Sequence, residues 1–528
     1  MLATGYWAEP FLDRERTRVF SPTLDSMIDK DDPVRLVDEV LAEVDWSDWE
    51  AEYNGHRGQP PIHPRYIAGA ILYGMYRGIR SSRKLEEACT YRFDFIWLVE
   101  GLHIDHTTFA TFRTKFRQPL KDLFRQIGRI AITLGLIRLG VVGFDGTRVK
   151  ANNSRYKTRT AKTLEEKLQA LDDLFEHLLA ELQSHDAREA GPDSPTHLPP
   201  ELADVQSRRD QLSQALAAAQ AADAARHKKG IDPQQNPAQV PTTDPDSRVM
   251  PNKEGGYAPN YTPVVTVDGQ CGMIVDADVL AEVNESSSAA ASVDRIEENF
   301  GAKPEKFVTD AGNNGGQVMA EMEIRDVEFY APAQSHQPQP GDAAYREDPT
   351  QPVPPSQWSD LKRNGHGQLD KSTFIYSSEE DAYFCPRGQK LPFERNKIAQ
   401  RGGVGVKLRF FRCEHCAGCP LAEACISGTN KRGRTITREP HEEAHERTAA
   451  RMSTPAAREL YRQRPRIAET PFAILKSIMG IRQFLLRGLE KVKTEWLWAV
   501  TAFNLMKLVR ALGALRAERA ALAAAEVN

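Results

Sequence analysis

The chain has 528 residues, enough for about three or four domains at roughly 150 residues each. Its composition, 40% hydrophobic and 27% charged, is that of an ordinary globular protein and not of a disordered or fibrous one. No apolar run reaches the roughly 18 residues of a membrane span, and MLATGYWAEPFLDRERTRVF lacks a basic-then-apolar signal layout, so a cytoplasmic protein is expected. Net charge is −4, which alone does not point to nucleic acid. Its distribution does: twelve Lys/Arg stand against three Asp/Glu from Arg387 to Arg438, eleven against four from Arg458 to Arg510, and seven against one from Arg113 to Arg138. Local basic patches can hold phosphates in a slightly acidic chain, although solvated helix faces give the same pattern.

Residues 1–135 read as an N-terminal helical domain. Ile71 to Phe116 has helical periodicity, broken by Gly78, by Gly101 and by DHTT, where Asp105 or Thr107 can cap the next helix. FATFRTKFRQPLKDLFRQIGRIAITLGLI then reads as one basic amphipathic helix. Arg113, Lys115 and Arg117 are its candidate DNA contacts, whereas Phe109, Phe112 and Phe116 recur at helical spacing and read as core. Residues 136–157 carry a short buried strand, LGVVGF. Residues 158–250 hold two Ala-, Leu- and Glu-rich helical stretches divided by GPDSPTHLPP, which read as a helical hairpin insertion followed by a loop. Residues 251–335 return to β structure. YTPVVTVDGQCGMIVDADV reads as a hairpin turning at Asp268-Gly269, SSSAAASVDRIEENFG as a helix and KFVTD as a strand. Residues 336–455 form a Pro- and Gln-rich linker and a basic, Cys-rich insertion. Residues 456–528 are helical, ending in a long helix from about Thr494. The fold class is therefore α/β, in several domains.

Three acidic residues carry the chemistry. Asp145, in VVGFDGTRVKAN, and Asp310, in KFVTDAGNNGG, each end an apolar strand-like run, and Gly146 and Gly312 follow closely, permitting a sharp exit. Glu469 stands in the basic stretch YRQRPRIAETPFAILK, where Tyr461, Arg464, Glu469 and Lys476 are spaced Y-x2-R-x4-E-x6-K, with Arg466 nearby. Carboxylates brought from two strand ends and a helix are the oxygen ligands that Mg²⁺ prefers in two-metal phosphoryl transfer. Pro465 and Pro471 cannot both lie inside one regular helix. Either the helix kinks near Pro471, or it starts there and leaves Glu469 just ahead of it.

Five of the seven cysteines, Cys385, Cys413, Cys416, Cys419 and Cys425, fall within forty-one residues. In a cytoplasmic chain this points to metal before disulfides. Cys385 with three of the others could make one structural Zn²⁺ site; an iron–sulfur cluster and a metal-free core are the alternatives.

These residues resemble DDE-type transposases of bacterial insertion sequences. The resemblance rests on HPRYIAGAILYGMYRGIRSSRKLEEAC, DHTTFATFRTKF, FDGTRVKAN, TDPDSRVM, TDAGNNG and the tyrosine–arginine–glutamate–lysine signature. The better-known signature has three residues between arginine and glutamate; this chain has four, so Arg464 and Arg466 both compete for that role. The resemblance implies an RNase H-like mixed-sheet catalytic core behind an InsH-like N-terminal domain that binds DNA ends. It implies two Mg²⁺, or Mn²⁺, on Asp145, Asp310 and Glu469. It further implies double-stranded DNA partners (terminal inverted repeats and target), a homodimer in the synaptic complex, a nucleoid-associated location and no membrane. Water would free a 3′-hydroxyl at the element's end, and that hydroxyl would attack target DNA. Similar transposases carry such cysteines in an insertion ahead of the glutamate, where either DNA clamping or folding would be served. A nuclease or resolvase that only hydrolyses, and a non-catalytic DNA-binding derivative, are the alternatives.

Overall fold

The computed structural model describes residues 23–53, 60–154, 156–186, 200–228, 230–252, 255–283, 285–401, 404–426 and 432–526. They fall into two compact units. The first comprises the chain up to Pro119 together with the stretch from Leu505 onward, and the second comprises Leu120–Asn504.

The first unit contains α1 (Pro33–Ala42), α2 (Ser47–Glu50), α3 (Pro64–Tyr76), α4 (Ser82–Tyr91), α5 (Phe93–Leu98) and α6 (His106–Lys115). Asp32 and Asp105 cap α1 and α6, accepting from the backbone N of Val34 at 2.8 Å and of Thr108 at 2.7 Å. Such caps satisfy amides that the first helical turn leaves without partners. The phenylalanines are core, as their spacing predicts: Phe112 stacks on buried Trp49 at 5.2 Å, and Phe109 is fully buried. The single helix expected after DHTT is two. Phe116 leaves helical geometry, and α7 (Arg117–Thr133) starts anew. The restart places Pro119 in a first turn, where a missing N–H costs nothing.

The second unit is built on a seven-stranded sheet. Its strands are β1 (Val141–Gly146), β2 (Val149–Lys150), β5 (Arg248–Pro251), β6 (Tyr257–Asp268), β7 (Ile274–Leu280), β8 (Lys306–Val308) and β9 (Glu328–Tyr330). Across its centre the order is β7-β6-β1-β8-β9; the first two pairings are antiparallel and the last two parallel. Alternation along β1 turns Val142 and Phe144 to one face. There they join Phe307, Phe329 and the apolar sides of α10 (Ser286–Phe300) and α11 (Gly316–Ile324) in one core. The β6–β7 turn is longer than expected. Asp268 accepts from the backbone N of Gln270, Arg138 and Leu139, and the chain turns through Gly272 at φ 68° before β7 begins.

Between β2 and β5 lies a helical hairpin, with β3 (Thr158–Arg159) and β4 (Val240–Pro241) paired at its base. Its helices, α8 (Ala161–Asp186) and α9 (Pro200–Lys228), run antiparallel. Arg209 of one pairs with Asp172 of the other, and Gln220 with Glu165. Beyond β9 comes an antiparallel five-stranded sheet: β10 (Ile375–Ser377), β11 (Ala382–Phe384), β12 (Lys390–Arg401), β13 (Val404–Arg412) and β14 (Thr435–Arg438), with α12 (Ala422–Cys425) before the last strand. Then follow α13 (Glu442–Met452), α14 (Pro455–Arg462), α15 (Thr470–Ser477) and α16 (Leu489–Glu526). α16 begins five residues earlier than its apolar run suggests. It is long and apolar enough to cross a membrane, yet 61% of its most apolar window is buried, as in the core helix of a globular protein.

Candidate active site

The register of β1 on β8 pairs Val141 with Lys306, Val142 with Phe307 and Gly143 with Val308. Carried two residues further, it sets Asp145 opposite Asp310. Both then lie on the sheet face away from the Phe144–Phe307 core, the face that Gly143 shares. Asp145 is buried and accepts from the backbone N of Gly146 at 2.9 Å. Asp310 caps a short 3₁₀ turn, Ala311–Asn313, accepting from Gly312 N at 2.9 Å and from Asn313 Nδ2 at 3.2 Å. The two strand-end aspartates therefore converge without any rearrangement of the sheet.

The third carboxylate beside them is one that the sequence reading missed. Glu285, the residue ahead of α10, brings its carboxyl so near that ligand atoms of Asp145, Glu285 and Asp310 all lie within 4.8 Å of one another. Gly146 makes the room: a Cβ there would stand 1.8 Å from Glu285 Oε2. Burial, and then the charges of Asp145 and Asp310, push the Glu285 carboxyl up to about 7. Three oxygen donors gathered at such close range fit a hard divalent cation.

Glu469 arrives from the other side, on an unusual backbone. After α14 the chain takes a π-helical turn, Pro465–Glu469, and α15 resumes at Thr470. Both prolines thereby fall at the start of a new helical segment, where a regular continuous helix would have broken. This is the second of the two arrangements left open by the sequence, a helix that starts by Pro471 with Glu469 just ahead of it, and the π turn before it was not foreseen. The turn lies close on β1 because residue 143 is glycine; a Cβ there would meet Ile467 Cγ2 at 2.9 Å and Ala468 Cβ at 3.2 Å.

Arg464 joins the two sides. It is buried, and its guanidinium reaches Asp145 Oδ1 at 3.3 Å and Glu469 Oε1 at 3.2 Å. Arg466 is exposed, so of the two competing arginines Arg464 is the one at the carboxylates. The Glu469 side chain is 56% exposed. Lys476 donates to Thr147 Oγ1 at 2.6 Å and to the Arg148 carbonyl at 3.0 Å, tying α15 to the exit from β1. Tyr461 packs beside Val308 and Tyr330. Asp244, from the TDPDSRVM motif, accepts from Tyr261 Oη at 2.7 Å and from Gly488 N at 3.0 Å, which ties β6 to the start of α16.

Cys385, Cys413, Cys416, Cys419 and Cys425 line one pocket, with Leu421 and Arg434. The hydrogen bond from Cys413 holds the Cys385 thiol below its ordinary value, and burial pushes Cys425 up to about 12. In the first unit, Arg113 donates to the Arg80 carbonyl. Lys115 is exposed, lying over Phe116 at 4.8 Å, and Arg117 is half-buried.

Comparison with known families bears on the two ends of the chain. The family described as Transposase DDE domain matches residues 384–509, which include the cysteine pocket, Arg464 and Glu469. The family described as Transposase domain (DUF772) matches residues 22–115. No curated protein matches the chain. Matches to transposase families thus stand in two separate stretches of the sequence, and together they support a DDE-type insertion-sequence transposase.

Proposed function

We propose that this protein cuts DNA at the ends of an insertion sequence and joins the freed 3′-hydroxyl to target DNA. The observation that carries the reading is the convergence of Asp145, Asp310 and Glu285, with Glu469 linked to Asp145 through Arg464. The strand order β7-β6-β1-β8-β9, antiparallel then parallel, supports an RNase H-like core with the aspartates at the ends of its adjacent central strands.

Asp145 and Asp310, with Glu469 and Glu285, would hold Mg²⁺ or Mn²⁺, which supplies charge relief at the phosphoryl oxygens and activation of the attacking oxygen. The chain's own residues do the positioning. Arg464 keeps Glu469 beside Asp145, and its positive charge offsets the carboxylates before DNA arrives. Lys476 fixes the loop that follows Asp145. Exposed Arg462 and Arg466, next to Tyr461, are set to meet phosphates along α14 and the π turn. The N-terminal helices, with Arg113, Lys115 and Arg117, would bind the terminal inverted repeats; Lys115 is the most accessible of the three. The cysteine pocket would take one structural Zn²⁺. The protein would act in the cytoplasm as a homodimer that pairs two element ends.

The test uses DNA ends taken from inverted repeats flanking the gene. With Mg²⁺, a pre-cleaved end should be joined to target DNA, and Asp145→Asn, Asp310→Asn and Glu469→Gln should each abolish joining. Hydrolysis without joining would favour a nuclease, and binding with neither activity a non-catalytic derivative.

A further inference from the structure

A second set of metal-capable side chains lies apart from the acidic cluster. His336 follows β9, and His445 and Glu446 lie on α13; their ligand atoms are all within 4.8 Å of one another. The two imidazoles lie nearly parallel, 4.5 Å between centroids at 16°. His445 is 9% exposed, and its Nδ1 meets no hydrogen-bond partner. An orphaned buried polar atom destabilises the fold, and a bound ligand would remove that penalty.

The surroundings are those of an oriented ligand set. Glu446 accepts from Ser335 Oγ at 2.5 Å and from His336 N at 2.7 Å, so its carboxylate is fixed. His336 Nδ1 lies 3.4 Å from Glu442, which is itself buried and paired with Lys371. A proton on that nitrogen leaves Nε2 as the donor, the arrangement in which a carboxylate aligns a metal-binding imidazole. The sequence His441-Glu442-Glu443-Ala444-His445 has the H-E-x-x-H spacing of a zinc-binding helix. Here, however, His441 stands before α13 in the left-handed region, at φ 62°, and is exposed. His336 provides the second imidazole instead.

We propose that His336, His445 and Glu446 bind one zinc ion. Two imidazoles and one carboxylate suit Zn²⁺ and its near relatives far better than Mg²⁺. The ion fastens the segment after β9 to α13, the helix that leads through α14 to Arg464 and Glu469. This assignment does not depend on the proposed DNA chemistry.

The cysteine pocket is a rival zinc site, so the test separates the two. Full-length protein is stripped with chelator, reloaded with Zn²⁺ or Co²⁺ and dialysed, and bound metal is counted by mass spectrometry. His336→Ala and His445→Ala should each hold one ion fewer than the unaltered chain and should leave the cobalt–thiolate charge-transfer absorption intact. Cys416→Ser should lower that absorption and leave the histidine-bound ion in place. His336 has a 44% exposed side chain, so its variant decides the matter if His445→Ala misfolds by circular dichroism. Equal metal content in His336→Ala and the unaltered chain would overturn the proposal, as would metal loss confined to cysteine variants.

Discussion

Removing Arg464 should unbalance the site in a way that a divalent ion can repair. The Arg464 and Asp145 side chains are each 11% exposed, so their pair is desolvated, whereas Glu469 is 56% exposed. Deleting one partner of a buried ion pair costs about 3–5 kcal/mol, because the other charge stays buried and uncompensated. Deleting the exposed partner costs about 0–1 kcal/mol. Arg464→Ala should therefore destabilise the metal-free second unit severalfold more than Glu469→Ala does, though both remove the same 3.2 Å contact. The loss falls on a cluster of three close carboxylates. Each Mg²⁺ held at a hundredfold excess over its Kd stabilises a chain by about 2.7 kcal/mol, and the gain should be larger for Arg464→Ala, which binds the ion more tightly, than for the unaltered chain at the same Mg²⁺ concentration. The assay is thermal unfolding in EDTA and again in Mg²⁺, following the transition of the sheet-bearing unit. Equal losses for Arg464→Ala and Glu469→Ala in EDTA, or equal Mg²⁺ gains for Arg464→Ala and the unaltered chain, would refute the reasoning.

Other changes test the neighbouring geometry. Gly146→Ala puts a methyl group where the Glu285 carboxylate sits, so Glu285 must swing out; Mn²⁺ affinity by calorimetry should fall about tenfold or more while the fold is kept. Gly143→Ala pushes on Ile467 and Ala468, and it should cost about 1–3 kcal/mol in denaturant unfolding and reduce DNA joining by displacing Glu469. The pH dependence follows from Glu285, whose folded-state value of about 7 lies above its ordinary 4.5. The folded chain holds this proton longer than the unfolded chain does, so the group costs nothing below pH 4.5, costs more as pH rises to about 7, and is constant beyond. Metal-free stability measured across that window should decline, and Glu285→Gln should flatten the decline.

Much of this site can be read from sequence because strand ends announce themselves. VVGF stops at Asp145 and KFV one residue short of Asp310, and alternation alone puts the two aspartates on a common face once the strands are neighbours. Glu285 gives no such signal. An acidic residue before a serine run reads as an ordinary helix start, and only the path of β6 and β7 returns that start to β1. The π turn is equally hidden. Pro465 and Pro471 show that a regular helix fails, but not that widening the ladder by one residue rescues it. The break at Phe116 could have been found from Pro119, whose missing N–H forbids one continuous helix from Phe109 onward. The cysteine pocket was legible from spacing, whereas the His336–His445–Glu446 set was not, since more than a hundred residues separate its first member from the others.

The central claim, that Asp145, Glu285 and Asp310 gather a divalent ion at the end of β1, is tested most directly by anomalous diffraction from crystals grown with Mn²⁺. The account predicts a manganese peak in contact with Asp145 and Asp310, with Glu285 beside it, and no peak in Asp145→Asn. Crystals of the unaltered chain without manganese at these carboxylates, or with the same peak in Asp145→Asn, would contradict it.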